Sequence, residues 1–289
     1  MYTPLLVSPA LLVVAVSLFG LAIGSFLNVV IHRLPIMLAR RWREQCDALA
    51  ATTPTVASER YDLIVPRSRC PHCGHRIAAA ENIPVVSWLW LGGKCRGCAK
   101  PISVRYPLVE IATAALSAAV AWRFGLNAAM VGALVLTWSL VALSVIDYDH
   151  QLLPDDITLP LIWGGLALNL FGIYTSLSAA VIGAIAGYVS LWLVYQLFKL
   201  ITGREGMGYG DFKLFAAFGA WLGWQALPLI ILLSSFLGAI IGIGVIVFRG
   251  RDRTLPIPFG PFLCLAGWVA LMWGDAITRA YLQFARFSY

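Results

Sequence analysis

The segment "REGMGYGDFK", residues Arg204–Lys213, places three glycines and one aspartate between two long apolar runs. A carboxylate at the end of an apolar helix can be an interfacial residue, a cation ligand or one member of a catalytic pair. The composition of the chain and a second aspartate help to choose between these interpretations.

The composition is that of a polytopic membrane protein. Of 289 residues, 60% are hydrophobic and 12% charged, and the mean hydropathy is +0.81. A span needs roughly 20 apolar residues. We predict an all-α membrane protein with about eight transmembrane helices: 9–31, 107–124, 128–146, 157–174, 178–199, 212–225, 226–248 and 259–278. The first 31 residues contain no Lys or Arg, which favours a retained helix over a cleaved signal peptide.

The distribution of basic residues predicts the orientation. Twelve of the 21 Lys and Arg residues lie between His32 and Tyr106. The short loops predicted on the same side add Lys199, Arg204, Lys213, Arg249, Arg251 and Arg253, and the opposite side has Arg123, Arg279 and Arg286. Because Lys and Arg in short loops are retained in the cytoplasm, the basic side is expected to be cytoplasmic. The net charge of +7 is thereby explained without nucleic acid.

The soluble segment 33–105 contains two pairs of cysteines, "CPHC" at Cys70 and Cys73 and "CRGC" at Cys95 and Cys98. Two such knuckles resemble a zinc ribbon, in which four thiolates hold a structural zinc. The alternative, two disulfides, is disfavoured in a reducing cytoplasm. The neighbouring His72 and His75 are not needed as ligands. Cys46 and Cys264 show no such pattern.

A second aspartate lies on the same predicted side of the membrane. Asp147 follows the third span in "SVIDYDHQLLPDD", and Asp211 precedes the sixth, so both are expected at the cytoplasmic boundary. Carboxylates at this depth are costly and usually functional. Two close carboxylates do not ionise equally, so one can activate a water while the other donates a proton, as peptide hydrolysis requires.

The glycines before Asp211, namely Gly206, Gly208 and Gly210, are expected to allow positive φ and close approach of a substrate strand. An alternative role for Asp211 is an N-cap of the following helix. Asp149, Asp155, Asp156 and His150 are interpreted as interfacial residues at helix ends. Two other functions remain open: a transporter that uses the two carboxylates for protons or cations, and a non-enzymatic scaffold for secretion assembly.

Several motifs together resemble one family, the type IV prepilin peptidases (leader peptidase/N-methyltransferases) of the GxGD class of intramembrane aspartyl proteases. The motifs are "GSFLNVVIHRLP", the paired C-x2-C loop, "IDYDHQLLPD", "EGMGYGDFKL" and "PIPFGPFL". The resemblance covers nearly the whole chain. It implies residues 1–32 as the first transmembrane helix, 33–105 as a cytoplasmic zinc-binding loop and 106–289 as a peptidase core.

The resemblance also implies an activity. It implies cleavage of the leader of type IV prepilins or type II secretion pseudopilins in the bacterial inner membrane, followed by N-methylation from S-adenosylmethionine. Asp147 and Asp211 would be catalytic, and Cys70, Cys73, Cys95 and Cys98 would bind zinc. Gly93, in the turn "GGKC", would belong to the methyl-donor site, although a tight turn explains Gly92 and Gly93 equally well. No G-x-G-x-x-G segment follows a strand, so a Rossmann site is not predicted.

Overall fold

The computed structural model describes residues 8–50, 60–249 and 258–284. Within these ranges there are nine α-helices and no strands. The helices are α1 (Pro9–Leu49), α2 (Val86–Trp90), α3 (Arg105–Phe124), α4 (Ala128–His150), α5 (Asp155–Asn169), α6 (Leu177–Thr202), α7 (Tyr209–Leu222), α8 (Leu227–Arg249) and α9 (Gly260–Phe284). Arg251, Arg253, Arg286 and the first two residues of "PIPFGPFL" lie outside the described residues.

Each of the eight predicted spans overlaps a helix, which confirms the all-α membrane fold, although α5 ends at Asn169, before the predicted end at 174. Six described helices are long and apolar enough to cross a membrane. The other two, α5 with 15 residues and α7 with 14, are shorter. The first helix continues to Leu49, well beyond the predicted span. Its polar part is rich in Arg and Leu, which favour a helix in water as well.

The chain divides into two compact units, Met1–Leu126 and Asn127–Tyr289. In the first unit, α1 packs along α3 at two glycines. A Cβ on Gly24 would lie 2.7 Å from the Cα of Glu110, and one on Gly20 would lie 2.8 Å from the Ser117 hydroxyl. Small residues of this kind allow two membrane helices to approach closely.

In the second unit, α7 is surrounded by other helices. It packs against α5, α6, α8 and α9, and its side chains from Phe212 to Trp221 are almost all buried. The Asn169 amide donates to the carbonyls of Ala220 and Trp221 at 2.8 and 3.0 Å, so the end of α7 is capped inside the protein. Because neighbouring helices enclose α7 and Asn169 satisfies carbonyls at its C-terminal end, α7 does not need the length of a span.

Candidate functional site

Asp147 lies in the last turn of α4 and is held by the start of α9. Its side chain is buried, with 6% exposure, and its Oδ2 accepts a hydrogen bond from the Gly260 N–H at 3.0 Å. A Cβ on Gly260 would lie 2.6 Å from this oxygen. Residue 260 must therefore be glycine for the backbone of α9 to approach the carboxylate. The first turn of a helix also favours a negative charge.

Asp211 lies in the first turn of α7, also buried at 8% exposure. The helix begins at Tyr209 and its N-cap is Gly208, so the N-cap role considered for Asp211 is wrong. The Oδ1 atom of Asp211 is buried and has no hydrogen-bond partner among the described residues. A buried acceptor without a donor is costly and is typical of functional sites.

The structure brings the two predicted aspartates together. The two carboxyl groups lie within electrostatic range of each other, and both lie within range of the buried thiol of Cys264 in α9. The three helices α4, α7 and α9 thus meet at one carboxylate pair. One carboxylate accepts a hydrogen bond from a backbone N–H, and the second has an oxygen without a hydrogen-bond partner among the described residues. Such different surroundings allow one group to act as a general base and the other as a general acid.

For the glycines before Asp211, the predicted positive φ is wrong, and two of the three have a packing role that was not predicted. None of the three has a positive φ. A Cβ on Gly206 would lie 2.8 Å from the Phe198 ring, and one on Gly210 would lie 2.7 Å from Cβ of Leu153. Close packing therefore explains these two glycines. At Gly208 the nearest atom is Oδ2 of Asp211, 3.8 Å away, so open space remains beside that carboxylate.

An ion pair joins the start of α7 to the start of α5. Lys213 Nζ lies 2.6 and 2.7 Å from the two carboxylate oxygens of Asp155. Asp155 is exposed and lies at the first position of α5, after the N-cap residue Pro154. Lys213 follows Asp211 by two residues, so the pair helps to fix the first turn of α7.

The four cysteines of the loop converge on one point. Their Sγ atoms all lie within 4.8 Å of one another, with 3.9 Å between Cys70 and Cys98 and between Cys73 and Cys95. A disulfide requires about 2.05 Å, whereas sulfurs around a zinc ion with bonds of about 2.3 Å lie about 3.8 Å apart. The geometry therefore fits a tetrahedral metal site. Backbone N–H groups of His72 and Cys73 lower the pKa of Cys70 to about 6, whereas desolvation and the neighbouring thiols raise the pKa of Cys73 to about 11.

The two histidines of the first knuckle bind other groups. His75 Nε2 lies 3.0 Å from Glu81, whose other oxygen pairs with Arg96 at 3.3 Å. His75 is the largest cause of the lowered pKa of Glu81. His72 Nδ1 lies 3.4 Å from Lys100. Neither histidine joins the cluster of metal-ligating atoms.

Gly93 occupies a tight turn against a tryptophan. Its φ is +67°, and a Cβ would lie 2.9 Å from the ring of Trp88. Its backbone receives the Ile102 N–H at 2.7 Å and donates to the Trp88 carbonyl at 2.8 Å. Glycine is required here both for the turn and for the position of Trp88.

Sequence reasoning missed Gly260 as a partner of Asp147. The two residues are 113 positions apart, and only the packing of α9 on α4 brings them together. The available signal was a glycine at the predicted start of a helix, where free backbone N–H groups attract a carboxylate.

Comparisons with known proteins agree with the motifs. Residues 18–124 match the bacterial peptidase A24 N-terminal domain, and residues 134–243 match the type IV leader peptidase family. No solved structure matches the chain.

Curated relatives extend these matches over nearly the full chain. A prepilin leader peptidase/N-methyltransferase of Aeromonas hydrophila is 62% identical over 92% of both chains. The protein of that name from Pseudomonas aeruginosa is 56% identical over 97% of both chains, and the one from Legionella pneumophila 47% over 96%. On this evidence the chain belongs to the type IV leader peptidase family.

Proposed function

We propose that the protein cleaves the leader peptide of type IV prepilins or type II secretion pseudopilins and then methylates the new N-terminal residue. The observation that best supports hydrolysis is the buried pair Asp147 and Asp211 where α4, α7 and α9 meet. The name shared by the relatives favours this reaction over the transporter and the scaffold.

The two carboxylates divide the proton transfers. Asp147 accepts an N–H at the start of α9, which stabilises its ionised form, so it acts as the base that takes a proton from the attacking water. Asp211 holds a proton and gives it to the leaving amine. The net change is one water added across the scissile peptide bond. The open space at Gly208 gives the substrate backbone access to Asp211.

The membrane boundary selects the scissile bond. A prepilin presents an apolar helix preceded by a short basic leader, so hydrolysis at the cytoplasmic boundary cuts where that helix leaves the membrane. The distribution of Lys and Arg supports a cytoplasmic site in the bacterial inner membrane. In the division predicted from the sequence, hydrolysis belongs to residues 106–289.

The four cysteines are proposed to bind a structural zinc ion. Four thiolates would complete a tetrahedral shell, so a zinc ion held there would have no open position for substrate and would hold the two knuckles together. S-adenosylmethionine is proposed as the methyl donor, with Gly93 near its site.

The direct test incubates the purified full-length protein with a prepilin and S-adenosylmethionine labelled in the methyl group. We expect a shortened pilin that carries the label at its N-terminus. Leader release without label would show that the protein is a peptidase but not a methyltransferase. The absence of both products would contradict the proposed function.

A further inference from the structure

The first unit contains a cavity that hydrolysis does not use. Its volume is about 650 Å³, and its wall includes three aromatic side chains, Tyr61, Trp88 and Tyr106, and two carboxylates, Glu81 and Glu110. Basic side chains also line it: Arg33, Arg67, Arg69, Arg96 and Lys100. Small-molecule sites are typically concave, mostly apolar and of about 300 to 1,000 Å³. A ligand with an adenosyl group fits this size.

The two carboxylates of the cavity have different partners. Glu81 is paired with His75 and Arg96. Glu110 is buried, with 7% exposure, and its Oε2 accepts the Val85 N–H at 2.7 Å. Its other hydrogen-bond partner among the described residues is the Ser25 hydroxyl, so both hydrogen-bond partners are neutral. A buried carboxylate with neutral partners favours a cationic ligand.

The hydrogen bond to Glu110 comes from a strained residue. Val85 has φ +61° and ψ −48°, which is unfavourable for a β-branched side chain. Strain of this kind persists where the surrounding structure fixes it, and it concentrates at binding and catalytic sites. The strained turn points the Val85 N–H at the carboxylate and begins α2, which carries Trp88.

Trp88 is fixed from two sides. Its indole Nε1 donates to the Ile102 carbonyl at 3.2 Å. On the other side, the absence of a Cβ at Gly93 leaves room for the Trp88 ring. An indole on a cavity wall can stack on a nucleobase or lie near a cationic group such as a sulfonium. Gly93 does not itself line the cavity, so its effect on a ligand would act through Trp88.

We propose that this cavity is the methyl-transfer site, in which Trp88 contacts the methyl donor and Glu110 binds the new α-amino group of the pilin. The inference rests on the proposed methylation. The amine nitrogen forms a bond to the methyl carbon as the carbon–sulfur bond breaks, and the electron pair stays on sulfur. Glu110 stabilises the positive charge that nitrogen gains and accepts one proton from it.

The test uses the full-length zinc-loaded protein and S-adenosylhomocysteine as the binding probe, measured by calorimetry. Trp88→Ala is expected to weaken binding roughly tenfold, because a stacking contact is lost. Trp90→Ala is the matched control, since Trp90 lies on the same helix, 79% exposed and outside the cavity wall. Its binding should equal that of the wild type.

Glu110→Gln separates transfer from donor binding. The variant should bind the probe within about twofold of wild type, release the leader normally, and transfer the methyl group about 100-fold more slowly. Transfer at the wild-type rate by Glu110→Gln, or wild-type affinity in Trp88→Ala, would overturn the inference. Absence of transfer in the wild type would instead show that the proposed methylation itself is wrong.

Amide hydrogen exchange on the wild type keeps the test independent of how the variants fold. The probe should slow exchange in residues 83–93, which include the strained turn and Trp88. Protection confined to other parts of the chain would place the donor elsewhere and overturn the inference.

Discussion

At the scale of single residues, the two aspartates differ in what surrounds them. Asp147 is anchored by the Gly260 N–H, and Asp211 has a bare, buried oxygen. A carboxamide at either position keeps the shape of the side chain but removes the exchange of protons with water. In the proposed mechanism hydrolysis depends on both residues, and we expect insertion into the membrane to depend on neither.

We expect Asp147→Asn and Asp211→Asn each to reduce leader cleavage by at least about 100-fold, because general acid–base catalysis supplies about that much. Cleavage is measured by gel shift of a prepilin, with protein insertion checked in the membrane fraction. Asp156→Asn, in the first turn of α5, serves as the control and should keep most activity. Full cleavage by either of the first two variants would refute the pair.

Gly260→Ala should impair cleavage through Asp147. The added Cβ would lie 2.6 Å from Oδ2, so the carboxylate or the start of α9 must move. We expect at least a tenfold loss in kcat, since a displacement of about 1 Å in a catalytic group has large effects. Gly244→Ala is a matched control with no atom within 4 Å of its Cβ. Equal activity of the two variants would mean that the contact is dispensable.

At the scale of elements, α7 depends on Asn169 at the end of α5. The Asn169 side chain donates to Ala220 and Trp221 and accepts from the N–H groups of Tyr174 and Thr175 at 3.0 Å each. One buried side chain thus closes a helix end and a loop.

Asn169→Ala should lower the free energy of unfolding by about 3 kcal/mol, because it leaves several buried polar groups without partners. The corresponding loss in Tm is roughly 5 to 10 °C by thermal unfolding in detergent. Gln283→Ala, which removes an exposed amide from α9, should leave Tm unchanged. A similar Tm for both variants would show that the cap contributes little.

We expect the knuckle loop to depend on the proposed zinc ion in a similar way. Cys70→Ser and Cys98→Ser should lower the bound zinc, measured by elemental analysis, because three thiolates hold the ion more weakly than four. Cys46→Ser is the control, since Cys46 is exposed and lies outside the cluster. Zinc content equal to wild type in both cluster variants would contradict the four-cysteine site.

At the scale of the whole molecule, the charge pattern predicts which side faces the cytoplasm, and a native cysteine can report it. Cys46 is exposed, Cys264 is buried, and the other four converge on the proposed metal site. A membrane-impermeant maleimide should label Cys46 in inverted inner-membrane vesicles and not in intact spheroplasts.

The matched reporter for the opposite side is Leu126→Cys in a Cys46→Ser background. Leu126 is 66% exposed and lies between α3 and α4. This cysteine should be labelled in spheroplasts. The reverse labelling pattern for both reporters would show that the protein has the opposite orientation in the membrane.

The sequence was sufficient for features set by local pattern. Apolar length and composition predicted the helices, the count of spans paired Asp147 with Asp211, and the cysteine spacing predicted the cluster. Features set by packing between distant segments were not predictable. Gly206 and Gly210 were interpreted through φ, although their neighbours Phe198 and Leu153 explain them. The Gly260 contact and the cavity beside Trp88 likewise depend on tertiary structure.

The enclosure of α7 has a consequence for how the enzyme responds to its lipids. Long helices such as α1 and α8 adjust to a thicker or thinner bilayer by tilting, at a cost for each ångström of hydrophobic mismatch. Helix α7 packs against α5, α6, α8 and α9, and its buried side chains are shielded from acyl chains. We therefore expect the turn that carries Asp211 to be insulated from changes in acyl-chain length, so that the carboxylate geometry is the same in thicker and thinner bilayers.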